Sequence, residues 1–202
     1  ELGTPGNVDF RVQISFDPLV DGFSFPNWGW SPLDLKDLKR YIWDLRALPG
    51  DYIGYFENLL YPLLAAGGHC YGMAATSIMY YKHPETKPVS KETFYMSKEE
   101  VALDIAKYHV QQSPLLLALI KRELVGMNLQ EEYDKIIKNL REDQPVVMMF
   151  TLDWKTRHAV TVYKAVDSGN TKTVYVYDNE NPGTSIEFTF DLKNNQVFGN
   201  YG

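Results

Sequence analysis

The hydrophobic pattern of this chain changes at Pro145, and that change constrains the fold more than any other feature. Before Pro145, apolar residues recur at the three- and four-residue steps of helices. After it, apolar and polar residues alternate in short segments separated by turn residues, which predicts strands at 146–152, 158–166, 173–177 and 185–190. Helices followed by a mostly antiparallel sheet indicate an α+β fold.

Start and stop signals divide the helical part of the chain. Ser31 and Pro32 predict a helix that ends at Pro49. Residues 97–100 have the pattern of a capping box, which predicts that another helix begins there. The remaining helices are predicted at 52–60, from Cys70 onward, at 114–124 and at 129–141.

The N-terminal residues carry a strand pattern and then an aromatic segment. Apolar and polar residues alternate without a break over 8–17, which predicts a strand with one buried face. Residues 22–30 are rich in Gly, Pro and aromatic side chains, so we expect an irregular segment that packs on the core or over a groove. No linker divides the chain. We therefore predict one domain, 1–202, with an N-terminal strand and aromatic loop (1–30), a helical part (31–142) and an antiparallel sheet (145–200).

Composition argues against several classes of function. A net charge of −6 and an isoelectric point near 5.2 make nucleic acid an unsuitable partner, because phosphate binding needs a basic surface. No apolar run has the length needed to span a membrane. The single cysteine and the four dispersed histidines lack metal-ligand spacing, and no Gly-rich phosphate loop follows a strand. Neither a metal nor a cofactor is predicted.

The first residue of the chain is Glu1 rather than Met. Removal of a signal peptide or pro-segment, or excision of a domain from a longer protein, leaves a start of this kind. The compartment stays open, and an extracellular or cell-surface location is favoured. The sequence leaves the oligomeric state open.

Cys70 lies where a pair of glycines meets a helical pattern. A sulfur at a helix N-terminus is close to unpaired backbone N–H groups and to the positive end of the helix dipole, which favours the thiolate over the thiol. The alternative is a small buried hydrophobic residue without reactivity. His158 and Asp178, at strand ends further along the chain, favour the nucleophile because they can supply a base and a group that orients it.

The predicted hairpin around 167–169 decides whether these two side chains meet. A three-residue loop with Gly169 in the left-handed region sets His158 directly opposite Asp178, with Cβ atoms about 5 Å apart. A two-residue loop instead puts Asp178 on the other face of the sheet. In that case Asp178 is a turn cap, and Asn179 or Asn181 are the next candidates for the orienting group.

These residues resemble the papain-like cysteine peptidase superfamily, and most closely its compact C39-like branch. The resemblance covers about residues 60–190, and 88 positions separate the cysteine from the histidine, which suits the compact branch. It rests on His69-Cys70-Tyr71-Gly72-Met73-Ala74-Ala75 before Tyr80-Tyr81, on His158-Ala159-Val160-Thr161-Val162, and on Val174-Tyr175-Val176-Tyr177-Asp178 before Pro182-Gly183. It implies a papain-like fold in which the helix of the nucleophile packs on the sheet.

The resemblance implies a peptidase that cleaves a peptide or protein substrate through a thioester acyl-enzyme. Cys70 is then the nucleophile, His158 the base and Asp178 its orienting partner. The family's oxyanion-hole glutamine is absent, since Leu64 occupies its place; we nominate Asn27 as the donor and His69 as a substrate contact. Two alternatives stay open: an acyltransferase or transglutaminase-like enzyme with the same triad, and a peptide-binding domain that has lost catalysis.

Overall fold

The computed structural model describes residues 10–29, 68–110, 126, 128–151, 157–168 and 171–200. Within these ranges the chain is α+β, with three α-helices and a six-stranded antiparallel sheet. The helices are α1 (Cys70–Lys82), α2 (Lys98–Val110) and α3 (Leu129–Arg141). Two short 3-10 turns, Pro84–Thr86 and Thr93–Tyr95, lie between α1 and α2.

The sheet is built around its longest strand. The strands are β1 (Phe10–Gln13), β2 (Val146–Thr151), β3 (Arg157–Ser168), β4 (Thr171–Tyr177), β5 (Ser185–Asp191) and β6 (Gln196–Gly199). One edge of β3 pairs with β2 along its first half and with β1 along its second half. Its other edge pairs with β4, and β5 and β6 follow outward in order. β3 therefore has a partner on both edges from about Thr161 onward, whereas its first four residues, 157–160, pair only with β2 among the described strands.

The β3–β4 register differs from the predicted one. Ser168 pairs with Thr171, so two residues separate the strands where three were predicted. The register then shifts between Val162 and Lys164, so that Thr161 pairs with Tyr177. Extended by one position, this register sets Asp178 opposite Val160 rather than His158. The shorter connection alone would have put Asp178 on the other face of the sheet from His158. The shift between Val162 and Lys164 brings Asp178 back to the face of His158, because residues 158 and 160 lie on the same side of a strand.

Several local predictions are confirmed. α3 has the predicted bounds, α1 begins at Cys70, and the Ser97 N–H donates to Glu100 Oε2 at 2.7 Å as a capping box requires. β1 ends at Gln13 rather than at the predicted Asp17, but Ile14 and Phe16 beyond it are buried, as the alternation indicates. The helices predicted within 31–49, at 52–60 and at 114–124 lie outside the described residues.

Two apolar clusters flank α1. One joins α3 to the sheet, and the other joins α1 and α2. α1 packs against both α2 and β3. Its close approach to α2 depends on Gly72, because a Cβ there would lie 2.2 Å from the Ile105 carbonyl oxygen. The helix that begins with Cys70 is thus held between α2 and the sheet.

The aromatic segment packs on the core, one of the two arrangements expected. Phe23 is fully buried in the α1–α2 cluster, and its N–H donates to the Tyr177 hydroxyl at 2.9 Å. Phe25 and Trp28 pack against the same cluster. The segment is thereby fixed beside the start of α1. None of the helices in the described ranges is long and apolar enough to cross a membrane.

Candidate active site

Cys70 is the first residue of α1 and is 8% exposed. Gly68, two positions earlier, has φ +100°, a left-handed conformation that favours glycine. The N–H of the intervening His69 donates to Asn27 Oδ1 at 2.6 Å. The thiol is therefore set at a helix N-terminus by a turn that the aromatic segment holds in place.

His158 and Asp178 meet within the protein. The distance between His158 Nε2 and Asp178 Oδ1 is 2.6 Å, and both side chains are buried. His158 is the second residue of β3, and Asp178 directly follows β4. The contact runs diagonally between neighbouring strands. The Phe150 ring of β2 lies edge-on to the imidazole, with centroids 5.6 Å apart, and limits its rotation.

Two hydrogen-bonding partners keep the His158 imidazole charged. Burial alone lowers its pKa, but hydrogen bonds to Asp178 and to Cys70 outweigh burial and raise the pKa from 6.5 to about 9. Because Nε2 binds Asp178, Nδ1 is the ring nitrogen left for the hydrogen bond with Cys70. The two nitrogens are used in the opposite sense in the Ser-His-Asp template, where Nε2 faces the nucleophile.

Asp178 both orients the imidazole and caps the following turn. Burial raises its pKa, but hydrogen bonds from His158, the Asn181 amide and the Glu180 N–H lower the pKa below its usual value. The Glu180 N–H lies 2.9 Å from Oδ1, and Asn181 Nδ2 lies 3.0 Å from Oδ2. The two interpretations of this residue, orienting group and turn cap, thus describe the same carboxylate. The carboxylate is held as an anion against His158.

The structure places His69 beneath the surface. Its side chain is fully buried, with Nδ1 2.9 Å from the Trp28 carbonyl oxygen. Its ring stacks on Trp28 at 4.8 Å and lies 4.9 Å from the ring of His109. A contact between this ring and a substrate would require a rearrangement. Through its contacts with Trp28, His69 joins the aromatic segment to the start of α1.

Asn27 lies directly against the backbone that precedes Cys70. A Cβ at Gly68 would be 2.2 Å from Asn27 Nδ2. That Nδ2 donates to Glu180 Oε1 at 2.7 Å, while Oδ1 accepts from the His69 N–H. Asn27 therefore links the α1 start to the turn that follows Asp178. One N–H of its amide is engaged by Glu180.

Asn179 joins the elements that carry the thiol and the imidazole. Its side chain is fully buried, and Nδ2 donates to the carbonyl oxygens of Cys70 at 3.1 Å and Ala159 at 3.0 Å. Sequence reasoning named Asn179 only as an alternative to Asp178. No local pattern signals these contacts, since they depend on how β4 ends relative to α1.

No family model, curated protein or solved structure matches this chain. Among the described residues, no group of three or more His, Cys, Asp or Glu side chains is placed to hold a metal ion. The chemistry available from the described groups is that of a thiol, an imidazole and a carboxylate in sequence. Such an arrangement can form a covalent acyl intermediate, because the base activates the nucleophile and the carboxylate orients the base.

Proposed function

We propose that this chain is a cysteine peptidase with a papain-like fold, similar to the C39-like branch. The observation that carries the proposal is the line of contacts from Cys70, at a helix N-terminus, through His158 to Asp178. Each group has the environment its role needs: a thiol near backbone donors, a charged imidazole and a buried anion. The layout also supports the fold, because α1 packs on the strand that carries His158.

In the first half of the proposed reaction, the Cys70 thiolate attacks the carbonyl carbon of a peptide bond. The new C–S bond gives a tetrahedral intermediate, and His158 transfers the Nδ1 proton to the departing amine as the C–N bond breaks. A thioester and a neutral imidazole remain. In the second half, His158 takes a proton from water, the resulting hydroxide attacks the thioester, and the thiolate leaves as the carboxylic acid forms.

The intermediate oxyanion needs hydrogen-bond donors at the site of attack. The backbone N–H of Cys70 belongs to the first turn of α1, where N–H groups have no partner within the helix. We assign the second donor to the amide of Asn27, which lies beside Gly68 and has a second N–H besides the one given to Glu180. Preorganised donors of this kind contribute about 10²–10³ in turnover.

A peptide digest in ¹⁸O-labelled water tests the proposal. The whole reduced chain is incubated with a synthetic peptide library, with and without glycinamide as an amine acceptor, and the products are identified by mass spectrometry. We expect new carboxyl termini that carry ¹⁸O, lost in Cys70→Ala and in His158→Gln. Products found only as glycinamide adducts would replace the peptidase by an acyltransferase.

Covalent capture separates both enzymes from a domain that only binds peptides. A library of peptidyl epoxides should add to Cys70 of the wild type, with no adduct in Cys70→Ser, which we expect to keep the wild-type fold. Absence of both cleavage and adducts across the library would overturn the proposal.

A further inference from the structure

We propose that Asn179 is a positioning residue that sets the separation between Cys70 and His158. The inference rests on the proposed function, because it assigns Asn179 a part in holding that reaction's nucleophile and base together. Asn179 touches neither reacting atom. It acts through the backbone of the residues that carry them.

One planar amide group binds two separate elements. Asn179 Nδ2 lies 3.1 Å from the Cys70 carbonyl oxygen in α1 and 3.0 Å from the Ala159 carbonyl oxygen in β3. Ala159 is the residue directly after His158. The two N–H bonds of an amide have a fixed angle between them. The positions of the two carbonyl groups are therefore fixed relative to each other, and with them the backbones of the thiol and the imidazole.

The orientation of this amide follows from its neighbours. A flipped side chain would bring Oδ1 against two carbonyl oxygens, which cannot donate. With Nδ2 placed as observed, Oδ1 is buried and has no hydrogen-bond partner among the described residues. A buried acceptor without a partner is unfavourable. The stabilising contribution of this side chain consequently comes from the two bonds that Nδ2 makes.

The backbone of Asn179 adds a third connection. Its carbonyl oxygen accepts from the Asn27 N–H at 2.8 Å. Asn179 also directly follows Asp178 in the chain. Asn179 therefore contacts the segment of Asn27, the start of α1 and the strand of His158. All the side chains of the proposed reaction are placed by elements that meet at this one residue.

The test compares Asn179→Leu with wild type. Leucine has a similar shape but no donor, so the two carbonyl groups lose their common partner. Two measurements are made on the whole reduced chain: the pH dependence of iodoacetamide alkylation of Cys70, and the NMR titration of His158. We expect the His158 titration to move to lower pH by about one unit, because the imidazole loses its close contact with Cys70, which raises its pKa. We expect peptide turnover to fall about 10²-fold with little change in KM, as for a misplaced reacting group.

Ile136→Val and Ile136→Ala serve as controls for stability. Ile136 belongs to the cluster that joins α3 to the sheet and takes no part in the hydrogen bonds of Asn179, so its truncation should lower the melting temperature and leave those bonds in place. Asn179→Leu is compared with the Ile136 variant that has the same melting temperature. If the His158 titration and the Cys70 alkylation are the same in both variants, Asn179 is only a structural residue. If Asn179→Leu does not fold, Asn179→Ala replaces it, since water can occupy a cavity lined by two carbonyl groups.

The outcome is independent of peptide cleavage by the wild type. Alkylation and titration report the Cys70–His158 geometry without any substrate. A wild type that cleaves nothing, together with a shifted titration in Asn179→Leu, would reject the peptidase and retain the positioning role. A wild type that cleaves peptides, together with an unchanged His158 titration in Asn179→Leu and Asn179→Ala, would retain the peptidase and reject the positioning role.

Discussion

The imidazole of His158 and the carboxylate of Asp178 are 2.6 Å apart although the hairpin register does not set them opposite each other. The contact crosses diagonally from β3 to the residue after β4, a reach that a histidine side chain permits. Both groups are buried. Charge on the imidazole therefore depends on the anion beside it, and the state of His158 can be altered by substitution of a single residue.

The first prediction concerns the titration of His158. Its pKa of about 9 lies above the ordinary 6.5, because hydrogen bonds to Asp178 and Cys70 outweigh the effect of burial. The imidazolium should persist through neutral pH and be lost as the pH rises through about 9. Asp178→Asn removes the anion that contacts the imidazole, so His158 should lose its proton at a lower pH. NMR of the imidazole protons measures both values.

His83 provides an internal control for that experiment. It is exposed, and its Nδ1 lies 3.3 Å from Glu85 Oε1, away from the candidate site. At a given pH its resonances should have the same chemical shifts in wild type and in Asp178→Asn. A His158 titration that is unaffected by Asp178→Asn would show that the carboxylate does not determine the charge of the imidazole.

The second prediction ranks the turnover of three variants. His158→Ala removes the base and should reduce kcat by about 10²–10⁴. Asp178→Ala removes charge and orientation together, and Asp178→Asn keeps an oxygen that can accept from Nε2. The loss should therefore grow from Asp178→Asn to Asp178→Ala to His158→Ala. Steady-state kinetics on a peptide cleaved by the wild type provides the measurement.

Unchanged turnover in both Asp178 variants, with wild-type melting temperatures, would reduce Asp178 to a turn cap. The Asn181→Ala variant is the matched control, because it removes one hydrogen bond to Asp178 Oδ2 but leaves the carboxylate. We expect its effect on kcat to be smaller than that of Asp178→Asn.

The sequence predicted the Cys70 helix start, α3 and most of the sheet because these depend on local patterns. The contact between His158 and Asp178 was anticipated through a register that is wrong. The shorter connection reverses the face of Asp178, and the shift between Val162 and Lys164 reverses it again. Residues 158–163 are buried on both faces of β3, so alternation along the chain carries no trace of that shift.

Other features have no local signal at all. β6 was missed because each of its residues is exposed, which leaves no hydrophobic pattern to detect. The contacts of Asn179 join residues far apart in the chain, and an asparagine after a strand is typical of any turn. The position of Asn27 beside Gly68 likewise depends on the packing of the aromatic segment.

The third prediction concerns the contact between α1 and α2. In Gly72→Ala, the new methyl group would lie 2.2 Å from the Ile105 carbonyl oxygen and 2.8 Å from His109 Cβ. Backbone must move to accommodate it, so we expect a loss of about 1–3 kcal/mol in the free energy of unfolding. Because α1 also contacts β3, the shift should displace Cys70 and slow its alkylation.

Gly29→Ala is the control for Gly72→Ala. A Cβ at Gly29 meets no atom of the described residues within 4 Å, so the free energy of unfolding should change by less than about 0.5 kcal/mol. Chemical denaturation of both variants makes the comparison. Equal stability of the two would mean that α1 and α2 can separate without penalty.

The last prediction asks whether Asn27 supplies the oxyanion donor or only a structural link. Asn27→Asp keeps the oxygen that accepts from the His69 N–H but loses the donor to Glu180, and it places two carboxylates side by side. Stability and kcat should both fall.

Adding Glu180→Gln restores a hydrogen bond in the reverse direction, from the Gln amide to the Asp carboxylate, so the melting temperature should recover. The kcat should stay about 10²–10³ below wild type, because the side chain at position 27 then has no N–H to stabilise the oxyanion. Glu180→Gln alone retains Asn27, so its kcat should stay within about tenfold of wild type. A tenfold change corresponds to about 1.4 kcal/mol in the activation free energy. Full recovery of kcat in the double variant would mean that Asn27 serves only to hold the start of α1 against the turn after Asp178.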